Sequence, residues 1–254
     1  MHDTLVRAIG LTRAFPGGET AVLDASFEIE RGQLVALVGP SGSGKSTLLH
    51  LMAALDHPTA GKIEWPALGP AAGLRPGQVG VAFQGRSLLD PLTVAENVAL
   101  PLLLAGADAA AADREAEDLM RRFDLWDCAS KLPEEVSGGQ AQRAALARAL
   151  AGAPALILAD EPTGQQDREG ARRLVDTLLA CVEAAGSLAV LLAGRLVGED
   201  QCRPSGKGAG EGRTLCLAAR QFLGQLRRGI PEIEAVHEVL RLPVGCCRPH
   251  AGQQ

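Results

Sequence analysis

The chain has 254 residues, 46% of them hydrophobic but only 3% aromatic, which suits one large domain or two small ones around an aliphatic, alanine-rich core. A formal net charge of −5 argues against a nucleic-acid binder that works by overall charge. No charged-then-apolar segment opens the sequence. The longest apolar stretch, Val98 to Ala112, is broken by Pro101, Gly106 and Asp108 and falls short of the roughly 20 clean residues of a membrane helix. The expectation is a cytosolic protein whose six cysteines, none in CxxC spacing, are free thiols.

In chain order, the first strong element is Leu34 to Val38, an apolar run of the kind a fully buried parallel strand needs. Gly39-Pro40-Ser41-Gly42-Ser43-Gly44-Lys45-Ser46-Thr47 follows and matches G-x-x-x-x-G-K-[ST], and Ser46 to Leu55 reads as a helix. Strand, glycine-rich loop and helix in that order form a nucleotide phosphate cradle. Glycines let backbone N–H groups turn inward, and the helix N-terminus adds partial positive charge. Lys45 can reach the β- and γ-phosphates, and the Ser46 hydroxyl is placed to bind Mg2+.

Further on, Ser137 is predicted as an N-cap. Gly138 and Gly139 leave backbone amides open, and Gln140 begins a helix rich in Ala, Leu and Arg. By itself such a turn is often only a cap. Ala155 to Ala159 reads as a second buried strand, ending in Asp160 and Glu161. A lone acidic pair at a strand end is an ordinary turn feature. Beside a phosphate loop, Asp160 can hold the Mg2+ hydration shell and Glu161 can polarise an attacking water. A helix over about Arg168–Ala185 presents Leu174, Leu178 and Val182 at four-residue spacing. Leu188 to Leu192 reads as another strand.

S-G-G-Q shortly before a strand ending in Asp-Glu resembles the signature of ABC-type ATPases. The resemblance covers about residues 4–192. It implies an α/β P-loop NTPase fold, with a RecA-like core, an ABC-type helical subdomain and an N-terminal antiparallel β region. Residues 1–85 and 154–192 would form the core and 86–153 the helical subdomain. It implies ATP and Mg2+ as ligands. It also implies a head-to-tail dimer in which Ser137, Gly138, Gly139 and Gln140 of one subunit close over the ATP on the phosphate loop of another. By the same resemblance Phe15 stacks on adenine and Val22 is a second adenine contact. Gln84 touches Mg2+ and the attacking water, and Asp167 belongs to the loop after Glu161. Gln166 stands where the family usually has an apolar residue. The stretches "GGETAVLDASFEIERGQ" and "LTVAENVALPLLLAG" look most like ATPases of lipoprotein-release and macrolide-export systems. Their membrane permease, a separate chain, would dock near Arg86 to Thr93 and hold this subunit at the inner face of the cell membrane. A soluble ABC ATPase acting on DNA or the ribosome usually has two cassettes or a long coiled coil, and neither is present here.

The family's next strand ends in Thr-His or Ser-His, and this one ends in Gly194-Arg195. The composition changes at the same place. Residues 1–192 carry 16 basic and 24 acidic side chains, net −8, whereas residues 193–254 carry nine and six, net +3, with four of the six cysteines. We therefore expect 193–254 to be an aberrant, poorly ordered tail. A shift of reading frame and natural divergence are both open as its origin. Leu215–Arg228 and Ile233–Leu242 have helical periodicity of a length that chance produces. The edge of the core sheet is expected to be unpaired, and a degenerate chain that binds ATP without efficient turnover is the main alternative function.

Overall fold

The computed structural model describes residues 4–38, 42–83, 85, 87–161, 170, 173–174, 176–178, 180–181, 189–194 and 238–240. Two sheets organise them. The first is antiparallel, with strand order β2-β1-β4, from β1 (Thr4–Ala14), β2 (Thr20–Glu30) and β4 (Ala60–Glu64). The second has the order β5-β6-β7-β3-β8, all parallel, from β3 (Leu34–Val38), β5 (Val79–Ala82), β6 (Leu156–Asp160), β7 (Ala189–Gly194) and β8 (Glu238–Leu240). The predicted strand at 155–159 lies one residue further on. Helix α1 spans Lys45–Met52, shorter than predicted, because the chain turns off at Ala53 and Ala54 adopts φ 51°.

Between β5 and β6 lie three helices, each with a legible start. Helix α2 (Val94–Leu104) opens with a capping box: Thr93 Oγ1 accepts from the Glu96 amide and Glu96 accepts from the Thr93 amide. Asp108 caps α3 (Ala109–Arg122) by accepting from the Ala111 amide at 3.0 Å. Helix α3 buries Ala112, Ala116, Leu119 and Met120 on one stripe. Its outer face carries the Glu117–Arg121 and Asp118–Arg122 pairs, four residues apart. Helix α4 (Gly138–Leu150) starts at Ser137 and packs on α2, α3, β5 and β6.

Strand β6 is buried at every position, and its alternate side chains feed two separate cores. Ile157 and Ala159 join the core of α2, α3 and α4; Leu156 and Leu158 join that of α1, β1, β2 and β3. Helices α1 and α4 therefore lie on opposite faces of one sheet. The described residues between 170 and 181 are helical, and Leu174 and Leu178 are buried in the α4-side core. Val182 lies outside the described residues.

One expectation for the last quarter is corrected. The edge of β3 is paired, because β8 lies parallel along it, with Val35 opposite Glu238 and Leu37 opposite Leu240. The three residues Glu238–Leu240 form a strand within 233–242, whose helical periodicity is of a length that chance produces. A parallel ladder draws on backbone N–H and C=O groups that every residue but proline offers, so side-chain periodicity is a poor guide to it. The tail expectation otherwise falls outside the described residues.

Candidate nucleotide site

Parallel strands β3, β6 and β7 end side by side, with Val38 opposite Gly194 and Asp160 opposite Ala193. The ends of such strands are where an open α/β sheet receives a ligand. From β3 the chain enters the glycine-rich loop. Gly42 and Gly44 adopt φ 78° and 84°, the left-handed region that a side chain disfavours. A Cβ on Gly44 would also run into the carbonyl of Ala21, so glycine is required there and β2 is held against the loop. Gly44 N-caps α1 without a side-chain cap. The Lys45 side chain is 6% exposed, with Nζ 3.5 Å from Ser43 Oγ. Ser46 is exposed and Thr47 half-buried. A buried ammonium at the head of a helix, directly after glycines in the left-handed region, fits an anionic phosphate. Gly39, Pro40, Ser41, Gln84, Arg86 and Asp167 lie outside the described residues.

The β1–β2 hairpin reaches the same region. Phe15 is 37% exposed, and the Arg13 guanidinium sits 4.6 Å from its ring centroid. Arg13 is anchored in turn by Asp56, whose Oδ2 accepts from Nε at 2.7 Å. That bond holds the Asp56 carboxyl below the usual carboxylate range. One face of the ring is thus covered by a cation. Val22 is 2% exposed within the α1-side core.

Asp160 is 6% exposed at the tip of β6, and Glu161 follows with φ 47°. A non-glycine residue in that region carries strain of roughly 1–3 kcal/mol, and strained backbone clusters at functional sites. Ser137 and Gly138 are exposed at the start of α4. Ser137 Oγ accepts from the Gln140 amide at 3.2 Å, and Gln140 Oε1 accepts from the Ser137 amide at 2.9 Å. The Gln140 side chain is therefore engaged in its own helix cap.

Three further residues are absent from the motif reading. Gln142, 6% exposed, donates from Nε2 to the Glu161 carbonyl at 2.6 Å. Asn97 is fully buried, donates to the carbonyls of Leu89, Leu92 and Thr93, and accepts from the Leu89 amide at 2.8 Å. Arg148 donates to Asn97 Oδ1 and to the Ser87 carbonyl, and burial pulls its pKa down. The available signal was a lone polar residue within an apolar helix face, which fits a solvent-facing position equally well.

Fold and site together define a phosphate-loop nucleotide-binding domain with a helical layer inserted between two core strands. A family model described as ABC transporter matches residues 22–164. The chain is 44% identical over 197 residues to the lipoprotein-releasing system ATP-binding protein LolD of Gluconobacter oxydans, covering 73% of this chain and 85% of that protein. It is 42% identical over 178 residues to an uncharacterized ABC transporter ATP-binding protein of Thermotoga maritima, covering 67% of this chain and 76% of that one. Among solved structures it is similar to the dimeric ATP-binding cassette MJ0796 in a post-hydrolysis state bound to ADP and Pi. That similarity has a TM-score of 0.68 at 32% identity and covers 74% of this chain and 87% of that one. The chain belongs to the ABC transporter family, as an ATP-binding subunit.

Proposed function

We propose that this chain hydrolyses ATP to drive a separate membrane permease of the lipoprotein-release type, as a homodimer with two ATP molecules between its subunits. The observation that carries this is the separation of α1 and α4 by the parallel sheet. One chain holds a phosphate loop and a signature turn on opposite faces, so the turn would serve the phosphate loop of a second subunit rather than its own. The solved relative MJ0796 is a dimer bound to ADP and Pi, which supports a dimeric reading, and the identity to LolD supports the export class.

In this reading the loop from Gly39 to Thr47 holds the phosphates and Lys45 neutralises their charge. Ser46, Gln84 and Asp160 would hold Mg2+, which would supply charge compensation for the phosphates. Among the described residues no group of three or more His, Cys, Asp and Glu could hold a metal. Glu161 accepts the proton of the attacking water, Phe15 faces adenine, Val22 backs that place from within the α1-side core rather than presenting its side chain to the ring, and Asp167 borders the site. Ser137 to Gln140 of the partner close it. The permease would dock at 86–93, where Leu89 is 46% exposed although its backbone is fixed by Asn97. Among the described residues no helix is long and apolar enough to cross a membrane, and the subunit would sit on the cytoplasmic face through that permease.

A second reading is favoured by one observation. Strand β7 ends at Gly194, and the sequence then reads Arg195, with no Thr-His or Ser-His there. Without an orienting histidine, hydrolysis would be severely slowed while ATP still binds. The same break supports the proposal that residues 193–254 are foreign to the family's pattern through a shift of reading frame. Translating the other two forward frames from the Leu192 codon tests that origin: neither yielding Thr-His or Ser-His before a helix and strands would end it. Phosphate release by the purified chain separates the two functions. Turnover lost in Glu161→Gln supports the first, and ATP binding with wild-type turnover no faster than Glu161→Gln supports the second. A chain that binds no ATP contradicts both.

A further inference from the structure

We infer that Gln142 is a positioning residue that ties the signature helix to Glu161 of the same subunit. This rests on the reading of Glu161 as the base. A carbonyl oxygen only accepts, so the amide nitrogen of Gln142 must be the group facing Glu161, and it lies 2.6 Å away. The side chain is 6% exposed, which keeps water from replacing that bond. Glu161 needs such a partner. Its φ of 47° departs from the extended backbone that a residue before proline prefers, and Pro162 follows it.

The rest of α4 gives the bond its leverage. Near the far end of the helix, Ala149 lies so close to β5 that a Cβ on Gly80 would strike its carbonyl. The C-terminal end of α4 is thereby fixed to the core sheet. At the other end, Ser137 and Gly138 are exposed and would meet the partner's ATP. Gln142 lies five residues after Ser137, between the exposed capped end and the end packed on β5. Closure of the partner on Ser137 displaces the N-terminal half of α4, and Gln142 passes that displacement to the Glu161 backbone. The carboxylate is then aligned only when the signature is engaged.

The test compares Gln142→Met, which keeps length and removes the donor, with Gln142→Asn, which keeps the amide but withdraws it by one methylene. Single-turnover hydrolysis should fall by about ten- to a hundredfold, the range expected when a catalytic group is misplaced by about 1 Å. Affinity for ATP should hold within about twofold, since neither variant touches the phosphate loop. In a Glu161→Gln background Gln142→Met should change the rate no further. A separate readout does not depend on turnover. Glu161-Pro162 is the only Glu-Pro junction in the sequence, so glutamate labelled with 13C at the carbonyl and 15N-proline isolate the Glu161 carbonyl resonance. ATP should move that resonance in the wild type and not in Gln142→Met. Loss of ATP-dependent movement with no wild-type turnover supports the positioning role and rejects the hydrolytic reading. Equal movement in wild type and Gln142→Met overturns the inference, as does an unchanged rate in Gln142→Met when Glu161→Gln is inactive.

Discussion

The Arg148 guanidinium donates to Asn97 Oδ1 at 3.3 Å and so joins α4, the helix that begins at the signature turn, to the start of α2. Asn97 in turn holds the backbone of Leu89, Leu92 and Thr93. One buried amide thereby fixes the segment that the permease is proposed to touch. Asn97→Leu fills similar volume but strands several buried polar groups. We expect a loss of about 3 kcal/mol, read as a lower urea midpoint at unchanged slope. Arg122→Ala, which removes a half-exposed helical ion pair with Asp118, should cost less than about 0.5 kcal/mol.

Asp56 supplies the pH dependence. Its pKa is depressed, chiefly by the hydrogen bond from Arg13 and against the effect of burial. A carboxylate with a lowered native pKa binds fewer protons folded than unfolded, so stability rises with pH across its window. Its contribution is present above the ordinary value of 3.8 and is lost as pH falls through the lower native one. Asp56→Asn should therefore be less stable than wild type at neutral pH, with the gap closing as acid titrates Asp56. Equal gaps at pH 7 and in strong acid would contradict the assignment.

ATP affinity tests the two binding ends separately. Lys45→Ala removes a charge-assisted contact and should weaken ATP by about 1.5–3 kcal/mol in calorimetry. Phe15→Ala removes the stacking face and should weaken ATP by about 1–3 kcal/mol, with little change for inorganic triphosphate. Equal weakening of ATP and triphosphate in Phe15→Ala would take the ring off the adenine.

The sequence was most informative where backbone geometry restricts residue choice. Gly44 must lack a side chain because of Ala21, so the phosphate loop is written in glycines. Ser137 was legible as a helix start because a small hydroxyl residue before an Ala-rich helix suits an N-cap; the Thr93–Glu96 pair has the same three-position spacing and was not read. Strands β3 and β6 are apolar runs because parallel strands are covered on both faces. The contacts of Gln142 and Asn97 were not legible, since most of their partners are backbone groups, which carry no residue identity. The division of β6 between two cores needed coordinates, because Leu156 and Ile157 are equally apolar and only alternation in space separates them. Strand β8 was missed for a related reason: Glu238–Leu240 is too short to show a period.

The central claim is that one chain carries two complementary half-sites. The direct measurement is the mass of Glu161→Gln with ATP and Mg2+, by light scattering on a sizing column, with bound nucleotide counted. The account predicts an ATP-dependent dimer holding two ATP molecules, reduced to a nucleotide-bound monomer by Ser137→Arg. A Glu161→Gln protein that binds ATP yet stays monomeric at every concentration would contradict it.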